Sequence, residues 1–203
     1  MRLSGLIVAL ALAGSGLAGC NMVHSSRPMF SAADAAGGPV FRDGVWASPE
    51  PGCQFDPNKP VETWPKCANG SAHFDMKPVE SYLTVSGDPA IVQLRSVGDD
   101  HAVNYLYAAV TPMRTDAEGR VVAFKAWVVL CGPPNKGPAM SRAGKALTLK
   151  HAGTRHPLAG LTMDADGDNC TPADPAAVRA AAVASRAWAE DLKVVAWVRD
   201  GDH

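Results

Sequence analysis

The sequence predicts an α+β domain: a mostly antiparallel sheet, one helix in the C-terminal region and two disulfides. Three observations carry that expectation. Short runs rich in β-branched and aromatic residues recur between 81 and 130, and the turns between them are too short for parallel crossovers. One alanine-rich stretch follows Asp174-Pro175 and has both helical composition and a capped start. Cys53, Cys67, Cys131 and Cys170 form an even set, which pairs as two disulfides in an oxidising compartment.

Taken in order, residues 44–47 (GVWA) form a short strand. Pro49, Pro51, Pro57, Pro60 and Pro65 then remove backbone donors and fix φ, so no long helix or strand fits there. Cys53 and Cys67 close this stretch as a loop, with Trp46 and Trp64 packing over the disulfide. Strands follow at 81–85, 90–97, 103–111 and 121–130. They are separated by turns at Gly87-Asp88-Pro89 and Gly98-Asp99-Asp100, and by a hairpin loop from Thr115 to Gly119. A Gly/Pro loop covers 131–144, residues 146–150 alternate, and 161–163 form an edge strand. Asp174 caps a helix over 176–190, with Pro175 at its first position. Val178, Ala181, Ala182, Ser185 and Trp188 share the face that packs on the sheet; Arg179 and Arg186 face water. Residues 193–199 are the last strand. The pattern leaves strand order open.

Three connectivities are possible for four cysteines. Sequence neighbours close at least entropic cost, which favours Cys53–Cys67 and Cys131–Cys170. Rings of about 15 and about 40 residues contribute about 3 and about 4 kcal/mol in the chain-entropy model. A zinc site, the alternative, lacks any Cys-x-x-Cys pair and any histidine at finger spacing.

The fifth cysteine has a different context. Arg2 precedes an uncharged apolar run at 3–13, small residues fill 14–19, and the run ends at Cys20. The apolar part is shorter than the roughly 20 residues a bilayer-spanning helix needs, and it has the layout of a secretory signal. Leu17-Ala18-Gly19-Cys20 resembles the lipobox of bacterial lipoproteins. The resemblance implies cleavage before Cys20, diacylglycerol on its thiol, and often an acylated amino group. Two or three acyl chains hold a protein at a membrane without a transmembrane helix. A plain signal peptide with an unrelated cysteine is the alternative. Lipoproteins kept at the inner membrane commonly carry Asp after the cysteine; Asn21 stands here, which implies the outer membrane and a periplasm-facing body. The chain then divides into a signal peptide (1–19), a lipidated cysteine with a flexible tether (20–43), and one disulfide-stapled ectodomain (44–203). The tether reading rests on Ser25-Ser26-Arg27-Pro28 and an aperiodic 32–38, with Met29-Phe30 and Val40-Phe41 as exceptions that dock on the body.

Composition narrows function more than it identifies it. The 203-residue chain is 47% hydrophobic with a formal charge of −1. Arg2 is the only charged residue of the signal, so the mature chain is slightly more acidic. No basic run invites nucleic acid, and no polybasic patch assists the lipid at the membrane. Asp164, Asp166 and Asp168 make a weak calcium candidate, since alternating aspartates in a turn can offer hard oxygens. The pattern departs from an EF-hand: Gly167 falls at the fourth loop position and Pro175 stands where the bidentate Glu belongs. His73, His101, His151 and His156 have no metal-ligand spacing, although His101 follows Asp99-Asp100. Gly-x-Ser-x-Gly and Ser-x-x-Lys are missing from the mature chain, and Ser141 and Lys145 have the wrong spacing for the latter. No motif calls for a cofactor.

Among the tryptophans, Trp127 and Trp197 sit in apolar strands and read as core. Trp64, in the proline-rich loop, is the candidate partner contact. The expectation is a non-catalytic envelope lipoprotein that binds another envelope protein or a cell-wall polymer through the loop around Trp64. The alternative is an envelope hydrolase or metal-dependent enzyme whose site is assembled from distant residues, with Asp99, Asp100 and His101 or the Asp164 turn as its starting points.

Overall fold

The computed structural model describes residues 21–68, 72–74, 82–97, 101–134, 154, 156–165, 167, 169–189 and 192–201. The expected strand at 146–150 and most of the 131–144 loop lie outside them, as do Cys20, Asp99, Asp100, Ser141, Lys145, His151, Asp166 and Asp168.

The strands are β1 (His24–Ser25), β2 (Gly44–Ala47), β3 (Ala72–Phe74), β4 (Tyr82–Val85), β5 (Ala90–Val97), β6 (Val103–Thr115), β7 (Val121–Val128), β8 (Leu161–Met163), β9 (Cys170–Pro172) and β10 (Val194–Arg199). The helix α1 (Pro175–Ser185) continues into a 3₁₀ turn at Arg186–Trp188. The main sheet has the order β3-β2-β10-β7-β6-β5-β4, with β1 also paired to β6, and β8-β9 form a separate hairpin. Every strand pair is antiparallel, so this is the α+β architecture the sequence predicts.

Alternation along the central strands sorts side chains to two faces. Ile91, Tyr107, Ala109, Trp127 and Val129 point to the face that α1 covers. Val92, Ala108, Val110 and Phe124 point to the other, where Phe41 and Trp46 meet them. β6 outruns its expected end at 111. Pro112 lies beyond the last residue paired to β5, where β7 is the only strand neighbour among the described residues and a missing donor is tolerated, and the register against β7 shifts there.

The helix starts as its sequence dictates. The Asp174 carboxylate accepts from the Ala177 N–H, and Pro175 occupies the first turn. Its buried face is Ala177, Val178, Ala181, Ala182 and Ser185. Small side chains there let the backbone approach the sheet. Trp127 Nε1 donates to the Ala182 carbonyl at 2.9 Å, and Ser185 Oγ accepts from the Leu130 N–H. Trp188 is only half-buried, because the helix tightens into the 3₁₀ turn before reaching it.

The expected flexible tether over 20–43 is not what its described part, 21–43, forms. Val23, Phe30 and Phe41 are 0%, 3% and 6% exposed. Residues 21–23 lie antiparallel to 129–131: Val23 N–H donates to Val129 O, and Cys131 N–H donates to Asn21 O. β1 then takes the place beside Leu106 and Tyr105 that β7 has vacated. Further on, buried Gln93 accepts from the Met29 and Phe30 N–H groups and donates to Phe30 O. At Gly38 the backbone crosses so close to the Thr84 carbonyl that a Cβ would collide with it. Phe41 then bridges to Val121. Composition misleads here because three large apolar anchors, spaced along a Ser/Ala/Gly background, suffice to fix the strap. Phe30 and Phe41 dock as expected, while Val40 points outward.

Two further readings change. Trp46 does not pack over the Cys53–Cys67 disulfide; it lies in the core with Phe124 at 5.2 Å and Phe41 at 6.3 Å between ring centroids. Trp197 is half-buried rather than core: its indole N–H donates to Asp43 O and the Arg42 guanidinium stacks on its ring at 3.7 Å.

Val23→Ala is expected to lower unfolding free energy by about 2 kcal/mol, read from urea denaturation, because a fully enclosed side chain leaves a cavity. The alkaline limb should report the same junction. Burial pushes the Tyr107 phenol above its ordinary value, against the opposing hydrogen bond with Ser25 Oγ. A raised value in the fold means its stability contribution is complete below about pH 10 and is lost as pH climbs through the folded value. Tyr107→Phe should flatten that alkaline loss.

Candidate functional site

Two places gather polar and aromatic groups that the core does not require. The first is the loop between β2 and β3. Its ends are tied by the Cys53–Cys67 disulfide, with Cα atoms 5.5 Å apart. Glu50 N–H donates to Cys67 O beside it, and Ser48 Oγ anchors the start to Val194 O. Prolines leave most of the backbone without ladder partners, so the loop folds on local turns: Thr63 N–H to Pro60 O, Trp64 N–H to Val61 O, Ala68 N–H to Pro65 O.

Trp64, three residues before Cys67, is half-buried in this loop. Its ring packs on Phe55, 4.5 Å between centroids, and its indole N–H donates to Lys59 O at 3.0 Å. Its one donor and part of its ring are therefore committed to holding the loop. Around it Glu50, Asp56, Lys59, Glu62 and Lys66 are exposed, a mixed rather than single-sign surface.

The second place is the rim where the strap begins. The Asn21 side-chain amide donates to Gly132 O at 2.9 Å, Asn21 is 1% exposed, and its φ of 97° turns the chain sharply. Its Oδ1 is buried with no hydrogen-bond partner among the described residues. Met22 N–H donates to Asn169 Oδ1, and Cys170 N–H donates to Met22 O. The Cys131–Cys170 disulfide, Cα atoms 5.8 Å apart, joins the two segments flanking residues 21–23. Both disulfides have the expected connectivity.

Asp164 belongs to this rim. One carboxylate oxygen lies 2.6 Å from His24 Nε2, and the other accepts from Thr171 Oγ1. The turn from Asp164 to Asn169 thus points two of its polar side chains at the strap. Of the calcium candidates, Asp166 and Asp168 lie outside the described residues. Among the described residues, no three His, Cys, Asp or Glu side chains are grouped to hold a metal.

His24 escaped sequence reasoning, since its partner is 140 positions away and no local pattern flags it. His101 is exposed in a left-handed backbone conformation, φ 62°. His156 is exposed, its N–H bonded to Thr154 Oγ1. His73 lies on β3, opposite Val45. Among the described residues, no helix is long and apolar enough to cross a membrane.

No family model, no curated protein and no solved structure matches this chain.

Asp164→Asn should cost about 0.5–1 kcal/mol, since both partners are partly exposed to solvent and screened. Urea denaturation of the variant beside wild type checks this.

Proposed function

We propose that this chain is a lipid-anchored bacterial envelope lipoprotein, held at the outer membrane and facing the periplasm. Its body is a non-catalytic binding or structural module. The observation that carries this reading is the distribution of cysteines. The four described cysteines are consumed by two disulfides with each other, so Cys20 has no partner left within the chain. A cysteine at the end of an apolar leader, in a protein whose remaining thiols are all paired, fits acylation. Two disulfides also fit an oxidising periplasm.

The partner is another envelope protein or a cell-wall polymer, met through the stapled loop. That loop is exposed over most of its length, is held by a covalent tie, and presents a half-exposed Trp64 among both signs of charge. Aromatic anchors on a preorganised loop lose little entropy on binding.

Mass spectrometry of protein from its own host membranes tests the anchor. Cleavage before Cys20 and an added diacylglycerol mass are expected, with Cys20→Ala released from the membrane fraction. A free thiol on an uncleaved or water-soluble product overturns it. The partner surface is tested by capture from envelope membranes through a C-terminal tag. Cys53→Ser and Trp64→Ala should each lower recovery at least about tenfold, equivalent to about 1.4 kcal/mol, with anchoring unchanged. Undiminished recovery by both places the contact elsewhere.

A further inference from the structure

We propose that the anchor has no tether, and that the rim around Asn21, residues 132–134 and residues 156–159 rests directly on the phospholipid surface. The inference depends on the reading that Cys20 carries the acyl chains. A flexible linker over 21–43 would let the body stand off by about 25 Å, the root-mean-square span of such a chain. The strap removes that distance. Asn21 is already enclosed, and one peptide bond, about 3.8 Å between Cα atoms, separates it from Cys20.

What surrounds Asn21 suits a lipid surface. Its amide holds Gly132 O, and Pro133, exposed, and Pro134, half-buried, follow immediately. Gly132 packs against Thr154 and the His156 carbonyl, which brings exposed Pro157 and Ala159 and half-buried Leu158 to the same rim. Leu158 N–H is bonded to Cys131 O. Within 129–134 and 156–165 the one formally charged side chain is Asp164, and it is paired with His24. Apolar and proline side chains with little net charge can enter a headgroup layer at low desolvation cost.

The fold also fixes which end points away. β7 starts just after the hairpin loop that holds Gly119 and ends at Val128, four residues before Gly132. At about 3.3 Å per residue, the length of β7 alone puts about 23 Å between the hairpin end and the rim end of that strand.

The test uses the acylated full chain in phospholipid vesicles doped with a gadolinium-chelate lipid, with amide relaxation as the readout. Gly132, and His156 beside it, should relax at least about tenfold faster than Gly119, given about 23 Å of β7 between the two ends. A Gly/Ser linker of about 20 residues between Cys20 and Asn21 should abolish that difference while leaving the thermal midpoint unchanged. Equal enhancement at rim and tip in an acylated wild-type protein overturns this inference alone, as does a gradient that survives the linker. Absence of the acyl mass from the same sample overturns the anchor and this inference together.

Discussion

The fold turns on a slot in its own sheet. β7 follows β6 only as far as the bond from Val129 N–H to Tyr107 O. Beyond it, the β6 backbone at Tyr105 and Leu106 needs another partner, and an unpaired buried amide or carbonyl costs about 1–3 kcal/mol. β1 supplies that partner, with residues 21–23 inserted between 129–131 and Cys170. The Cys131–Cys170 disulfide joins the two walls of the slot, so its covalent link and the strap support the same geometry. Burial of Val23 adds about 1.5–3 kcal/mol. The hairpin of β8 and β9, a sheet separate from the main one among the described residues, is positioned by the same contacts.

From the slot the strap continues as structure. Gln93 shows how. A buried amide at a strand position is costly unless all its groups are used, and here its oxygen takes two backbone donors while its nitrogen serves Phe30 O. The polar residue on the apolar face of β5 is thus the receptor for a loop that the composition of 21–43 describes as unstructured. Phe30 then packs edge-on to Tyr107, with Arg179 from the helix over its ring. Sheet, strap and helix meet at one cluster.

What could be read from sequence follows the range of the interactions. β2, β5 and β8 coincide with the expected strands, and β4, β7 and β10 differ from theirs only at the ends, because alternation is a local signal. The helix start was legible for the same reason: a cap and a proline lie beside the residues they serve. Disulfide pairing followed from loop entropy, which depends on sequence distance alone. The strap was not legible, since each of its anchors acts through a partner 60 to 150 positions away. The Trp64 environment was half legible. Prolines announce a loop, but nothing local says that Phe55 will cover part of the indole or that Lys59 will take its N–H. His24 and Asp164 form a pair invisible to any motif, whereas Asp164 read with Asp166 and Asp168 suggests calcium.

Asn21 carries both a demand of the fold and a part of the proposed localisation. Read as the position after a lipobox cysteine, its identity speaks to the choice of membrane. Within the fold, the same identity follows from two local demands. A φ of 97° is a conformation that asparagine tolerates better than most side chains, and its amide N–H₂ is the donor that Gly132 O receives. Aspartate would place a carboxylate oxygen against that carbonyl, two acceptors at 2.9 Å in a site that is 1% exposed. The structure therefore accounts for Asn21 without reference to sorting. The proposed anchor at Cys20 does not depend on which residue follows it. An exchange to aspartate would therefore loosen the start of the strap through Gly132, whatever membrane the chain meets.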